Sequence, residues 1–317
     1  MRTGRGRLRR VAPLAAGFAV VALLVGPGCQ TGDAAEDAAG VQCGIKRIVQ
    51  YATHPDVDPD RSRLDLYLPP AGEWGCTDRP IVVWVHGGGW TEGDRSDYIA
   101  DKVKLFNSAG YVLATVNYQL TDVSLAPPSP QYPVHNQDVA DAVAWLIGNA
   151  GEFGGDAQRV ALLGHSAGGG IVAAIATNER FLATHQLGLE DIQCAASMDG
   201  EGYDIAAGAT TFPEAARQRY LDVFGSDPAV WAEASPITHV AAGTDIPDYF
   251  VAARGVDWRL AQHETFIGAL RAADIPTTVA DASVLSHGDL TTAIGTERDD
   301  VVTLALMEFL GGCFADA

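Results

Sequence analysis

The sequence predicts an α/β fold with a mainly parallel central sheet and helices on both faces. Strand-like apolar runs recur along the chain, and helical patterns lie between most of the later ones. This alternation is typical of parallel strands joined by crossover helices. The run 81–85 is apolar on both faces, as a central strand should be. With 47% hydrophobic and 19% charged residues, the 317-residue chain has a globular composition.

Each element follows from its own pattern of apolar residues and breakers. The predicted strands cover residues 45–51, 64–68, 81–86, 111–117, 160–164, 195–198, 249–253 and 277–281. The predicted helices cover residues 138–149, 167–177, 215–224, 259–272 and 297–310. No helical pattern separates the first two strands, so we expect an antiparallel edge there. The segment 121–137, with four prolines, and the segment 199–214 are irregular and are predicted to be loops at the rim of a site.

The first 28 residues are predicted to be a signal peptide, of the lipoprotein type. Five arginines and no acid precede the apolar run 11–25, which is short for a membrane span. Cys29 follows where a bacterial lipoprotein carries its lipidated cysteine, although Gly26 replaces the usual Leu-like residue of that pattern. We expect an exported protein attached to the cell surface through Cys29. A freely secreted protein and an uncleaved anchor are the alternatives.

Residues 29–42 are small and acidic, which predicts a flexible tether before a single domain over residues 43–317. The formal net charge of the chain is -19. Such a charge repels phosphate backbones, so nucleic acid is not an expected partner. No oligomeric state is predicted.

Four cysteines remain in the predicted domain: Cys43, Cys76, Cys194 and Cys313. An even number in an exported chain indicates two disulfides, for which three pairings are possible. We favour Cys43 with Cys76, which both flank the first strands, and Cys194 with Cys313. Four buried free thiols are the alternative. None of these cysteines has the spacing of a zinc ligand, and no metal is expected.

Residues 164–168, Gly-His-Ser-Ala-Gly, follow an apolar strand and open a helix rich in small residues. This is the strand–turn–helix context of a nucleophile elbow, in which small neighbours let the serine hydroxyl project. The helix N-terminus beyond Ser166 favours developing negative charge. We therefore predict that Ser166 is a nucleophile, the alternative being a glycine-rich turn with a bystander serine.

Residues 86–90, His-Gly-Gly-Gly-Trp, follow another central strand. Consecutive glycines leave their backbone N–H groups unobstructed. Together with the N–H of Ala167, these groups can form an oxyanion hole for a tetrahedral intermediate. On its own such a run is more often a simple turn. It indicates an oxyanion hole only because the sequence also contains the nucleophile elbow.

A serine nucleophile needs a base and an acid that orients the base. His287 follows the last predicted strand in the loop 283–288, which can deliver an imidazole to the elbow. His263 lies in an amphipathic helix and is interpreted as a helix-surface residue, and His239 as a structural hydrogen-bonding residue. Asp257, directly after the strand 249–254, is the predicted acid. Its rivals are Asp245, Asp248, Asp274 and Asp281.

The chain resembles the hormone-sensitive-lipase-like and bacterial feruloyl-esterase-like carboxylesterases of the α/β-hydrolase superfamily over residues 45–312. The matching pieces are residues 64–69 (LDLYLP), 86–90 (HGGGW), 117–120 (NYQL), Asp138 with 145–146 (WL), 153–156 (FGGD), 164–169 (GHSAGG) and 234–237 (ASPI). The resemblance implies an α/β-hydrolase fold with Ser166 as nucleophile, His287 as base and Asp257 as acid. It also implies an oxyanion hole formed by Gly88, Gly89 and Ala167. Gln119 stands where many relatives have arginine.

These features predict a serine carboxylesterase that cleaves carboxylic esters through an acyl-enzyme, with a short-chain, acetyl or feruloyl-type acyl group. The substrate is expected to be a small-molecule or polymer-linked ester, and no cofactor is expected. An amidase or peptidase with the same triad is the first alternative. A non-catalytic surface binding protein on a hydrolase fold is the second.

Overall fold

An eight-stranded, mainly parallel sheet forms the centre of this computed structural model, which describes residues 35–36, 40–297 and 301–315. The strands are β3 (Lys46–Gln50), β4 (Arg63–Tyr67), β5 (Arg79–Val85), β6 (Val112–Val116), β7 (Gly155–His165), β8 (Cys194–Met198), β9 (Asp248–Ala253) and β10 (Thr277–Asp281). Their order across the sheet is β10-β9-β8-β7-β5-β6-β4-β3. β4 runs antiparallel to β3 and β6, and the other pairs are parallel. The predicted antiparallel edge is confirmed. A separate antiparallel pair joins β1 (Ala35–Glu36) to β2 (Gln42–Cys43).

Helices connect the strands. They are α1 (Ala100–Ser108), α2 (Val134–Gly148), α3 (Ala167–Thr177), α4 (Arg180–Ala183), α5 (Ile205–Thr211), α6 (Glu214–Phe224), α7 (Pro228–Ala234), α8 (Asp257–Ala272), α9 (His287–Ala293) and α10 (Val302–Ala315). Short 3-10 turns cover Pro59–Ser62, Ala150–Phe153, Leu189–Asp191 and Pro236–Thr238. Among the described residues, no helix is long and apolar enough to cross a membrane.

The sheet has a hydrophobic core on each face. Along β5, which is buried throughout, Ile81 and Val83 pack in a core with residues of α2 and α3. Val82 and Trp84 pack in a second core with residues of α1 and α10. This alternation follows from the two-residue period of a strand. The fold class predicted from the sequence, with helices on both faces, is therefore confirmed.

Two disulfides occur, in the pairing that the sequence analysis favours. Cys43 bonds to Cys76, with 5.6 Å between their Cα atoms. Cys194, the first residue of β8, bonds to Cys313 in α10, with 6.4 Å between the Cα atoms. The second disulfide joins the C-terminal helix to the middle of the sheet.

The structure differs from the predicted elements mainly at short helices. The segment 199–214 contains α5, and the loop expected to carry His287 is the first turn of α9. The last helix is α10, which begins five residues later than predicted, at Val302. Helices of seven residues, such as α5 and α9, are too short for a helical period to stand out. The predicted signal peptide over residues 1–28 and the lipidation of Cys29 fall outside the described residues and stay predictions.

Candidate active site

The turn at Ser166 joins β7 directly to α3. Ser166 has φ 55° and ψ -123°, a backbone conformation that side-chain-bearing residues rarely adopt. Its neighbours must be small for steric reasons. A Cβ atom on Gly164 would lie 2.3 Å from the carbonyl oxygen of Gly168, and one on Gly168 would lie 2.3 Å from that of Val85. The strand–turn–helix context predicted for residues 164–168 is therefore present.

Ser166, His287 and Asp199 form a continuous chain of hydrogen-bonding contacts. The Nε2 atom of His287 lies 3.0 Å from Oγ of Ser166, and its Nδ1 atom lies 2.6 Å from Oδ2 of Asp199. Asp199 is fully buried, whereas 37% of the His287 side chain is exposed. A serine hydroxyl, an imidazole and a carboxylate in this order are the groups that nucleophilic acyl transfer requires.

The structure places Asp199, and not the predicted Asp257, beside His287. Asp257 is the exposed first residue of α8, and the residue that contacts Nδ1 of His287 is Asp199. Asp199 directly follows β8, which is the strand next to β7. Sequence reasoning identified the loop that starts at residue 199 but did not consider this acid. Asp199 and Asp257 both follow the carboxyl end of a predicted strand. This position is the sequence signal that could have identified Asp199.

Two arginines lie against Asp199. The Nη1 atom of Arg254 is 3.2 Å from Oδ2 of Asp199, and Nη1 of Arg259 is 3.7 Å from Oδ1. Burial alone would raise the pKa of Asp199. The hydrogen bond from His287 and the charge of Arg259 outweigh burial, so the pKa of Asp199 is lowered. Asp199 is therefore an ionised carboxylate near neutral pH.

Burial keeps the neighbouring histidines neutral. It lowers the pKa of His165 to about 3 and the pKa of His86 to about 4. The Nε2 atom of His165 lies 2.9 Å from the carbonyl oxygen of His287, so this nitrogen donates a hydrogen bond that holds the His287 backbone. His263 is buried, with Nε2 2.9 Å from the carbonyl oxygen of Gly200, and the prediction of a helix-surface position was wrong. Burial also lowers the pKa of His263.

The glycine run after β5 lies at the same cavity as Ser166. Gly88 and Gly89 both have positive φ, 108° and 58°. The carbonyl oxygen of Gly88 accepts hydrogen bonds from the N–H groups of Thr91 and Glu92, which folds the turn back on itself. A Cβ atom on Gly88 would lie 2.0 Å from the carbonyl oxygen of Glu92, so no larger residue fits. The cavity has a volume of about 520 Å³.

The predicted nucleophile, the predicted base and the glycine run all face this cavity. Its lining includes Ser166, His287, Gly88, Gly89, Arg219 and Arg259. Ala167 is the first residue of α3, next to Ser166. The structure thus brings the predicted nucleophile, base and oxyanion-hole residues to one place, and it brings Asp199 there instead of Asp257.

One group of described side chains away from this cavity could share a metal ion. The ligand atoms of His54, Asp138 and Asp141 all lie within 4.8 Å of one another. Asp138 is buried and accepts hydrogen bonds from the backbone and side chain of Gln119, at 2.8 and 3.2 Å. Burial raises the pKa of Asp138 to about 6. These residues do not line the cavity of Ser166.

Most of the chain matches known proteins. The model of the BD-FAE family matches residues 64–253. Esterase LipQ of Mycobacterium tuberculosis is 29% identical over 254 residues, which cover 73% of this chain and 55% of LipQ. The probable carboxylic ester hydrolase LipM of the same organism is 27% identical, over 80% of this chain and 59% of LipM. The chain thus spans somewhat more than half the length of these curated relatives.

Solved structures share the fold. Esterase B from Lactobacillus rhamnosis superposes with a TM-score of 0.67 at 20% identity, over 88% of this chain and 89% of that protein. Thermogutta terrifontis esterase 2 superposes with a TM-score of 0.66 at 19% identity, over 84% and 91% of the two chains. These likenesses confirm the predicted fold.

Proposed function

We infer that this chain, which belongs to the BD-FAE family, is a serine esterase that hydrolyses carboxylic esters. The observation that carries this function is the contact chain from Asp199 through His287 to Ser166, with distances of 2.6 and 3.0 Å. The two curated relatives described above are an esterase and a probable carboxylic ester hydrolase, which supports the same class of reaction.

The first half of the reaction forms an acyl-enzyme. Oγ of Ser166 attacks the ester carbonyl carbon while Nε2 of His287 takes the hydroxyl proton. Asp199 accepts the hydrogen bond from Nδ1 of His287, which selects the tautomer with a free Nε2 and stabilises the imidazolium that forms. The tetrahedral intermediate then collapses, the bond to the alcohol oxygen breaks, and the imidazolium returns its proton to that oxygen.

The negative oxygen of the tetrahedral intermediate needs donors already in place. We assign this role to the backbone N–H groups of Gly88 and Gly89, which line the same cavity as Ser166, and of Ala167, the first residue of α3. Donors that are positioned before the reaction stabilise the developing charge without reorganisation. The N-terminal end of α3 adds a favourable helix dipole.

The second half of the reaction releases the acid. A water molecule gives a proton to Nε2 of His287 and attacks the acyl carbon. The bond to Oγ of Ser166 then breaks, and Oγ takes back the proton. No cofactor takes part in these steps.

The finer substrate class is a short-chain, acetyl or feruloyl-type acyl group on a small-molecule or polymer-linked alcohol. A cavity of about 520 Å³ is in the size range of small-molecule sites, which supports a modest acyl group. Two disulfides fit an oxidising, extracytoplasmic compartment, which supports the proposed export. Attachment to the cell surface through Cys29 stays a prediction.

The test is hydrolysis of p-nitrophenyl esters, from acetate to laurate, by the full chain and by Ser166→Ala. We expect rates that fall with acyl length and a loss in kcat of at least about a thousandfold in the variant. Ser108→Ala changes an exposed serine on α1 and is the matched control. Substantial activity in Ser166→Ala would contradict the proposal. Faster cleavage of a matched anilide than of the ester would instead favour an amidase.

A further inference from the structure

The cavity of Ser166 contains an arginine, Arg219, whose charge is not paired with any described residue. The acidic and arginine side chains that line the cavity are Glu92, Asp97, Glu201, Arg219 and Arg259. Nη2 of Arg259 lies 3.0 Å from Oε2 of Glu201, so these two charges compensate each other. Arg219, on α6, is exposed and makes no hydrogen bond or ion pair with another described residue. Its guanidinium is therefore available to a molecule bound in the cavity.

Arg219 lies directly against the glycine run. A Cβ atom on Gly89 would lie 2.8 Å from Cδ and 3.0 Å from Nε of Arg219. The glycine thus leaves room for the arginine side chain beside the proposed oxyanion hole. Because the oxyanion hole binds the ester carbonyl, a cation at Gly89 lies close to the substrate groups that flank the bond to be cleaved.

Aromatic packing fixes the helix of Arg219 to the glycine run. Trp90 follows Gly89 and Tyr220 follows Arg219, and their rings meet edge to face with 5.6 Å between centroids. Trp90 makes a second edge contact with Phe224, at 5.2 Å. All three rings are buried. The backbone of Arg219 is therefore held in place beside the cavity, and only its side chain has to be ordered when a substrate binds.

We propose that Arg219 binds a carboxylate carried by the ester substrate, on its acyl or its alcohol part. A guanidinium presents its N–H donors in a planar fork that matches the two oxygens of a carboxylate. The described residues that line the cavity include no aliphatic residue, so the cavity offers few contacts to a long hydrocarbon chain. This inference rests on the proposed esterase function and adds the charge of the substrate to it. Arg219 thus determines specificity between anionic and neutral esters.

Two exposed acids of the cavity oppose the binding of an anion. Oδ2 of Asp97 accepts a hydrogen bond from the N–H of Asp94 at 2.9 Å, and Glu92 follows the glycine run. The chain as a whole has a net charge of -19, so long-range attraction is not the source of the preference. Recognition is local, because a direct contact with Arg219 outweighs charges that lie further away and are screened by water and salt.

The experiment compares kcat/KM for matched anionic and neutral esters. On the acyl side, the pair is mono-p-nitrophenyl adipate and p-nitrophenyl hexanoate, in which a methyl group replaces the carboxylate. On the alcohol side, the pair is p-acetoxybenzoate and its methyl ester, with release of the acetyl group as the readout. The anionic-to-neutral ratio of kcat/KM in each pair removes any change that is common to both esters.

Arg219→Gln should lower this ratio about tenfold in the pair whose carboxylate contacts Arg219, because a charge-assisted hydrogen bond is lost at an exposed site. The affected pair identifies the part of the substrate that carries the carboxylate. Arg219→Lys should give a smaller fall, since lysine keeps the charge without the planar fork. Glu92→Gln should raise the same ratio about twofold, because a repelling charge is removed.

Arg217→Gln is the matched control. It removes another arginine of α6 that does not line the cavity, and it should leave both ratios unchanged. Because Arg219 is exposed, its replacement should not disturb folding, which circular dichroism checks.

An unchanged ratio in both pairs for Arg219→Gln, or an equal fall in Arg217→Gln, would overturn the proposal. These outcomes leave the esterase function standing, provided that the wild-type chain hydrolyses the neutral esters and Ser166→Ala does not. Absence of hydrolysis of every ester by the wild-type chain would instead remove the proposed function and this inference with it.

Discussion

Asp199 contacts His287 because of the position that Asp199 takes in the register of the sheet. His165, the last residue of β7, pairs with Met198, the last residue of β8. Ser166 and Asp199, which directly follow these two residues, therefore lie side by side at the same edge of the sheet. Met198 in turn pairs with Ala252 of β9. Asp257 comes five residues after Ala252, where the chain has already entered α8.

We predict that Asp199→Asn lowers kcat by about three to four orders of magnitude, because the amide leaves His287 without a carboxylate to set its tautomer. Asp257→Asn is the matched control and should keep most of the activity, since its exposed side chain starts a helix. Steady-state kinetics on a p-nitrophenyl ester, with circular dichroism as a check on folding, provides the comparison. A comparable loss in Asp257→Asn would return the role to the residue that the sequence analysis chose.

At the scale of elements, the position of α9 depends on an unusual anchor. Lys102 of α1 is completely buried and donates hydrogen bonds to the backbone oxygens of Tyr98 and Thr291. Its ammonium group lies 4.7 Å from the centre of the Trp84 ring. Since Thr291 belongs to α9, which begins at His287, this lysine connects the helix of the proposed base to α1 and the sheet.

Lys102→Met should lower kcat several-fold with little change in KM, because α9 loses a hydrogen bond while the methionine side chain fills a volume similar to that of lysine. Lys104→Met, at an exposed position of the same helix, is the control. Separate determination of kcat and KM is the measurement. A rise in KM at constant kcat would show that Lys102 supports substrate binding instead.

The same variant should change how stability depends on pH. Burial lowers the pKa of Lys102 from 10.5 to about 8, so between these values the unfolded chain binds more protons than the folded one. Wild-type stability therefore gains a contribution as pH rises from about 8 to 10.5, and Lys102→Met lacks this gain. Urea unfolding at several pH values checks the difference. A constant stability difference across this range would contradict the assignment.

At the scale of the whole molecule, two cores and two disulfides hold the sheet and its helices together. The Cys194–Cys313 bridge spans 119 residues of sequence and attaches α10 to β8. The Cys43–Cys76 bridge spans 33 residues near the antiparallel edge. A disulfide that closes a longer loop removes more entropy from the unfolded chain.

We predict that Cys194→Ala with Cys313→Ala lowers the free energy of unfolding by about 5 kcal/mol, and Cys43→Ala with Cys76→Ala by about 4 kcal/mol. Urea titration of both double variants beside the wild type, without reductant, is the measurement. A larger loss from the Cys43 and Cys76 pair would show that loop length does not govern stability here.

The parts of the fold that could be predicted are those with a strong local pattern. The apolar run of β5 and the small-residue helix α3 were predicted because their residues are buried almost without exception. α5, α7 and α9, each with only seven residues, escaped prediction, and so did α1, which has nine. The position of His263 was predicted wrongly because the elements around α8 bury the face of the helix that carries it, and the sequence of α8 alone does not show this.

The sequence by itself determined the fold class, the family and the strand–turn–helix at Ser166, because each depends on residue types at adjacent or regularly spaced positions. Only the tertiary structure decided which carboxylate meets His287. Asp199 and His287 are 88 residues apart, and strand order and register bring them within 2.6 Å. Neither order nor register is encoded in a local pattern, since both depend on how all strands pack together.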